Sequence, residues 1–195
     1  MSPLKVLCVI PARYASTRLP GKPLRDIAGK PMIVRVYERA KQAKKVQEVI
    51  VATDDERIRA AVEACGGHVV MTRCDHATGT DRLAEVAQKM TEYDLIINVQ
   101  GDEPLIEPAV IDALIEPFLI EADLSMATVK TKITDAADME NPNNVKVVVN
   151  KFGEALYFSR NVIPFPRDPN TKVSYYKHIG IYAYRKEALQ QFTEL

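Results

Sequence analysis

Short apolar runs bounded by turn residues recur through the first half of the chain: Leu4 to Ile10, Glu48 to Ala52, Val69 to Met71 and Leu95 to Val99. Between them lie segments of helical period, such as the one that sets Met32, Ile33, Val36, Tyr37 and Ala40 on a common face. Strand alternating with helix predicts an α/β fold, with a largely parallel sheet covered by helices on both faces. In such sheets ligands bind beyond the carboxyl ends of the strands. Three segments follow strands and fall on that rim: Pro11 to Lys22, Thr53-Asp54-Asp55, and Gln100-Gly101-Asp102-Glu103-Pro104.

From about Ser125 the pattern changes to shorter strands, Met126 to Thr131, Val145 to Val149, Glu154 to Phe158 and Ile179 to Tyr184, joined by Pro- and Asn-rich turns. No low-complexity linker or internal repeat divides the chain, so the expectation is one domain over 1–195. Within it, 1–124 forms the ligand-binding part and 125–195 a substrate-side elaboration. A length of 195 residues with 47% hydrophobic and 27% charged residues suits a single well-packed domain and excludes intrinsic disorder. Lysine plus arginine equals aspartate plus glutamate at 26 each, so no global positive field exists to hold a nucleic acid. No span is apolar enough for membrane insertion, and Met1 runs directly into a strand-like segment without a cleavage pattern. A cytoplasmic location is expected. Three cysteines, Cys8, Cys65 and Cys74, imply no disulfide framework, and Cys8 sits in an apolar run as a buried thiol.

The loop from Pro11 to Pro23 gathers Arg13, Arg18 and Lys22, the hydroxyls of Ser16 and Thr17, Gly21 and three prolines into one connection. Cations and backbone amides so placed can converge on phosphate oxygens. The Walker pattern fails, because Ser16 stands where its first glycine belongs and Pro23 replaces the metal-binding hydroxyl, and no G-x-G-x-x-G is present. ATPase and dehydrogenase chemistry therefore lose their main support. Taken alone, the loop reads either as a phosphate cradle or as a solvated basic loop.

Asp102, after the strand Leu95 to Val99, is a candidate ligand for a hard cation, since magnesium usually takes one or two carboxylates and leaves the rest to water and phosphate. Asp102-Glu103-Pro104 also reads as a turn before a helix start. The amide of Gln100 suits the edge of a cytosine or a sugar hydroxyl equally. Arg82, Arg160, His178 and Tyr182, taken singly, have structural readings, as ion-pair partners or half-buried side chains. Gly79-Thr80-Asp81-Arg82 can open a helix. Cys74-Asp75-His76 supplies too few ligands for a closed zinc site and reads as a loop.

Ile10 to Pro23 resembles the signature loop of the cytidylyltransferases that activate acidic sugars with CTP, and the similarity runs through the chain. It includes Gly29-Lys30-Pro31-Met32-Ile33, Val51-Ala52-Thr53-Asp54-Asp55, Met71-Thr72-Arg73, Gly79 to Arg82 and Asn98 to Pro104. It continues through Ala155 to Arg160 and Lys177 to Tyr182. Thr78 stands where relatives often carry serine, which keeps the hydroxyl. The resemblance implies a three-layer Rossmann-like nucleotide-diphospho-sugar transferase fold with a mostly parallel mixed sheet. It implies CTP and 3-deoxy-D-manno-octulosonate (Kdo) as substrates, Mg2+ as cofactor, a homodimer, and a product used for lipopolysaccharide.

By that resemblance, Arg13, Lys22 and Asp102 carry catalysis, with Asp102 on the metal. Pro11, Ala12, Arg13, Ser16, Thr17, Arg18, Lys22 and Gln100 bind nucleotide, and Gln100, Arg82, Arg160, His178 and Tyr182 bind sugar. His178 is expected to hydrogen-bond substrate rather than act as a base. The resemblance also implies a segment past the equivalent of Leu195 bearing a second metal-binding aspartate. A fragment, or a CTP-binding protein with little turnover, is the corresponding expectation, beside the same chemistry on another acidic sugar.

Overall fold

The computed structural model describes residues 4–15, 19–168 and 170–194. In chain order the elements are β1 (Val6–Ala12), β2 (Asp26–Ile27), β3 (Lys30–Pro31), α1 (Met32–Ala40), β4 (Glu48–Thr53), α2 (Glu56–Glu63), β5 (His68–Met71) and α3 (Gly79–Lys89). They continue as β6 (Leu95–Asn98), α4 (Pro108–Ile120), β7 (Met126–Lys132), α5 (Ala136–Glu140), β8 (Lys146–Val149), β9 (Ala155–Ser159), β10 (Tyr176–Arg185) and α6 (Lys186–Thr193). Packing gathers them into two compact units, one made of the chain up to Ala127 together with Ile181 onward, the other of Thr128–Gly180.

In the first unit, β5, β4, β1 and β6 lie side by side and all parallel, and the Ile181–Arg185 half of β10 runs antiparallel to β6. The sheet is therefore mixed but mostly parallel, as the sequence predicts. Its central strands β4, β1 and β6 are buried almost throughout, and the residues of β1 alternate between two helix layers. Leu7 and Val9 join Ile50, Ala52 and Ile96 under Leu83, Val86 and Ala87 of α3 and Leu189 of α6. The other layer consists of α1, α2 and α4, with α1 touching β1, β4, α2 and α4. Helix α1 buries Met32, Ile33, Val36, Tyr37 and Ala40, the face its periodicity predicts. Cys8 is fully enclosed, and burial pushes its thiol up to about 12, so it packs as an inert hydrophobe.

One boundary differs from expectation. The first strand runs on to Ala12, so Pro11 and Ala12 are strand residues opposite Ala52 and Thr53 rather than the start of the loop. Proline is tolerated there because the pairing with β6 ends at Val9 opposite Asn98, and no ladder partner is left to lack its N–H.

The second unit holds β8 and β9 as an antiparallel pair, Lys146 opposite Ser159 and Val149 opposite Ala155, with Lys177 of β10 opposite Lys146. The side chain of Lys146 is fully buried and donates to the carbonyls of Asn141 (3.1 Å) and Asn144 (2.7 Å), which fixes the Asn-rich turn before β8.

Candidate active site

The order β5-β4-β1-β6 has a topological switch. From β1 the chain winds outward through β4 and β5, then returns to the other side of β1 as β6. The crevice beyond the carboxyl ends of β1 and β6, where the strand order reverses, is where such sheets bind ligands. A cleft of about 340 Å3 lies at that point, lined by Pro11, Ala12, Arg13, Lys22, Gln100 and Asp102 among others. A larger hollow of about 620 Å3 borders the β2–β3 hairpin, α1 and Leu105. Its arginines are committed to structure: Arg35 donates to the carbonyls of Ile27 and Ala28, and Arg39 to that of Ile106 and to Glu107. The smaller cleft is the candidate site.

Two backbone features bring its walls together. Gly101 sits so close to β1 that a Cβ would lie 2.8 Å from the Pro11 carbonyl, so only glycine lets the turn after β6 approach the end of β1. Gly21 has φ of 69°, in the left-handed region, and its N–H donates to the Tyr14 carbonyl at 2.9 Å, closing the loop on itself. The single 3₁₀ turn Lys22–Leu24 follows, with Pro23 in its first positions. This turn aims Lys22 across the cleft, where Nζ meets Asp102 Oδ2 at 2.5 Å. Both side chains are about half exposed, 40% and 50%, so the pair adds only ~0–1 kcal/mol to stability and remains open to exchange partners.

Arg13 is exposed on the cleft wall, and the amide of Gln100 reaches Asn98 Oδ1 at 3.5 Å. Ser16, Thr17 and Arg18, expected to bind nucleotide, lie outside the described residues. Asp102 suits magnesium as a solvent-facing carboxylate beside a cationic loop, the arrangement in which the ion is shared with phosphate oxygens and water. Among the described residues no three His, Cys, Asp or Glu side chains gather as a ready-made metal site.

The expected sugar residues are distributed. Arg82 is fully buried, its guanidinium bonded to Thr72 Oγ1 and 3.4 Å from Asp54. Burial lowers its pKa and the Asp54 charge opposes that. It stands behind the rim, tying β5's exit to β4's exit, and does not line the cleft. Helix α3 starts at Gly79, as the Gly-Thr-Asp-Arg string predicts, and Thr78 caps it reciprocally with Asp81. Tyr182 lies opposite Asn98 across β10 and β6 and stacks on Tyr184, with burial raising its phenol pKa.

In the second unit, Arg160 donates to the Pro142 carbonyl at 2.8 Å. His178 Nε2 lies 2.9 Å from Thr128 Oγ1, and its ring meets Phe158 edge-on at 4.8 Å. Burial lowers the His178 pKa, which keeps it neutral near pH 7 and fits a hydrogen-bonding residue.

Sequence reasoning missed the side chains that hold the rim. Asp55 caps α2 and grips Arg57, whose guanidinium lies 3.3 Å from the centre of the Tyr14 ring. Glu85 of α3 accepts from the Arg73 amide (3.0 Å), from Lys89 (2.6 Å) and from His76 (2.5 Å), fastening the Cys74-Asp75-His76 loop. Burial pushes the Glu85 carboxyl up, but those donors overcome it and set it at about 2. The capping spacing of Asp55 is visible in sequence; the long-range contacts are not.

A basic loop and a carboxylate at the switch point of a mostly parallel sheet are the arrangement expected of a nucleotidyltransferase. The chain belongs to the cytidylyltransferase family, which it matches over residues 7–195. The 3-deoxy-manno-octulosonate cytidylyltransferase of Fusobacterium nucleatum is 54% identical over 192 residues, covering 98% of this chain and 78% of that protein. The Escherichia coli protein of the same name is 54% identical over 191 residues, covering 98% and 76%. A solved CMP:2-keto-3-deoxy-manno-octonic acid synthetase complexed with CTP superposes with a TM-score of 0.92 at 54% identity, over 98% of this chain and 78% of that one. At 14% identity and a TM-score of 0.62, a 4-diphosphocytidyl-2C-methyl-D-erythritol synthase from Anaerococcus prevotii shares the fold.

Proposed function

We propose that the chain transfers CMP from CTP to Kdo, giving CMP-Kdo and pyrophosphate for lipopolysaccharide synthesis. The observation that carries this reading is the 54% identity, at a TM-score of 0.92, to a synthetase of that sugar solved with CTP. The anomeric hydroxyl of Kdo attacks the α-phosphorus of CTP. The new P–O bond forms as the bond to the β-phosphate oxygen breaks, pyrophosphate leaves with that electron pair, and the hydroxyl proton passes to solvent. No covalent enzyme intermediate is needed, and catalysis is positioning plus charge neutralisation.

Lys22 and Arg13 neutralise phosphate charge at the switch-point cleft. Lys22 is held ready there by Asp102, and a triphosphate entering the cleft offers it stronger acceptors. Asp102 would hold magnesium, which supplies further neutralisation of the phosphates when bound. Pro11 and Ala12, at the end of β1, offer backbone groups to the base, and Gln100 offers an amide to base or sugar. Tyr182, Arg160 and His178 are the sugar-side candidates, with neutral His178 as donor or acceptor. Arg82, being buried, contributes by fixing Thr72 and Asp54.

We assign a homodimer to the active form. Its support is the exposed apolar side chains of β9 and the turn before it, Phe152 (75% exposed), Leu156 (65%) and Tyr157 (64%). CTP as substrate and three unpaired cysteines suit the cytoplasm. Among the described residues no helix is long and apolar enough to cross a membrane.

Pyrophosphate release with CTP and magnesium, measured across Kdo, a sialic acid and an amino-substituted octulosonate, tests the assignment. Kdo should give the highest kcat/KM. A faster reaction with another acidic sugar would reassign the substrate, and CTP binding without release would leave a nucleotide-binding protein.

A further inference from the structure

The two cations that face the triphosphate each neighbour a residue that is mechanically tied down. Arg13 precedes Tyr14, and Lys22 follows Gly21. The Gly21 N–H donates to the Tyr14 carbonyl at 2.9 Å, so the two ends of the loop are joined. A Cβ on Gly21 would lie 3.1 Å from three atoms of the Tyr14 ring, so the tyrosine packs directly on the turn that launches Lys22. The ring is also covered from outside the loop. The Arg57 guanidinium, from the first turn of α2, sits 3.3 Å from the ring centre.

Arg57 is itself fixed. Asp55 accepts its Nε at 3.0 Å and its Nη2 at 2.6 Å, a fork that holds the guanidinium over the tyrosine ring. The same carboxylate accepts the Arg57 backbone N–H at 3.0 Å as the cap of α2, so helix start, arginine and loop form one connected unit. With its charge met by Asp55 and its face on Tyr14, Arg57 is committed away from the cleft, and it is absent from the cleft lining.

We infer that Arg57 is a positioning residue for the nucleotide reaction: stacked on Tyr14 and gripped by Asp55, it clamps the N-terminal loop to α2 so that Arg13 and Lys22 are presented to the triphosphate before CTP arrives. The inference rests on the assignment of that cleft to CTP. With these contacts made in the free protein, the cost of placing Lys22 is met before CTP arrives, and affinity gains by that amount.

The experiment is a double-mutant cycle of Arg57→Ala and Tyr14→Leu, read in two ways. In the free chain, hydrogen exchange of the Gly21 amide reports the closure of the loop. In turnover with CTP and Kdo, KM for CTP is separated from kcat and from KM for Kdo. Each single variant should speed Gly21 exchange and raise KM for CTP roughly three- to tenfold, the scale of a partly exposed cation–π contact, with kcat and KM for Kdo little changed. The double variant should be no worse than the worse single one, because both break the same contact. Tyr14→Phe, which keeps the ring, should behave like the unsubstituted chain.

Multiplicative losses in the double variant would overturn the inference, since Arg57 would then act on CTP independently of Tyr14. Unchanged Gly21 exchange, or a fall in thermal midpoint that accounts for the kinetic loss, would overturn it as well. Faster Gly21 exchange in the variants of a chain that has no affinity for CTP would contradict the functional assignment and leave the mechanical clamp standing.

Discussion

Strands β6 and β9 carry comparable apolar signals, Leu-Ile-Ile-Asn and Ala-Leu-Tyr-Phe-Ser, yet every residue of β6 is buried and all but the last of β9 are exposed. The difference is cover. β6 lies between β1 and β10 with α3 and α6 packed on it, and it delivers Gln100 and Asp102 to the cleft. β9 ends its strand path, paired through β8 alone. An apolar run in a sequence therefore reports that a surface will be covered, but not by what. On β6 the cover is the chain's own helices; on β9 we assign it to a second copy.

The largest test of that contrast is on the β6 side. Ile97→Ala should cost about 2–5 kcal/mol of folding stability by urea denaturation, because Ile97 is fully enclosed and a cavity would remain. A loss below about 1 kcal/mol would mean that β6 is not the close-packed centre described here.

The helix that covers β6 can be probed next, through Glu85. Its folded pKa of about 2 lies below the ordinary 4.5. A depressed carboxyl contributes stability that is complete above about pH 4.5 and is lost as the pH falls through that range toward 2. The contribution is up to about 3 kcal/mol. Glu85→Gln should lower stability at pH 7 and flatten the acid side of the stability curve. An unchanged acid limb would show that the ties to His76, Lys89 and the Arg73 amide do not hold in solution.

The smallest effect on folding belongs to β9. Tyr157→Ser should change unfolding free energy by no more than about 0.5 kcal/mol, as expected for an exposed site, while shifting the chain toward monomer in analytical ultracentrifugation. A large folding loss with no change in association would make β9 an internal strand and erase the contrast.

How far the sequence was legible follows the same division. The run Leu95 to Val99 became β6, and the periodic positions Met32 to Ala40 became α1, because local period and burial agree there. The helix start at Gly79 and the position of Asp102 after β6 were likewise readable in the sequence. Arg82 shows the limit: arginine on a predicted helix start reads as a ligand contact, and its enclosure against Thr72 and Asp54 depends on β4 and β5 meeting it from far along the chain. The Arg57–Tyr14 stack is hidden for the same reason, since 43 residues separate partners that touch only once the sheet has formed. Pro11 as a strand residue was obscured by the rule that proline leaves sheets, which yields where the neighbouring strand has already ended.

The claim on which the rest depends is that the cleft between β1 and β6 is where CTP reacts. The most direct measurement is pyrophosphate release by Lys22→Ala, with CTP, magnesium and Kdo, beside its thermal midpoint. The ion pair it breaks is half exposed, so the midpoint should hardly move. Loss of a cation aimed at the reacting phosphates should reduce kcat by about 10²–10³-fold. Unaltered kcat at an unaltered midpoint would place the chemistry somewhere other than this cleft.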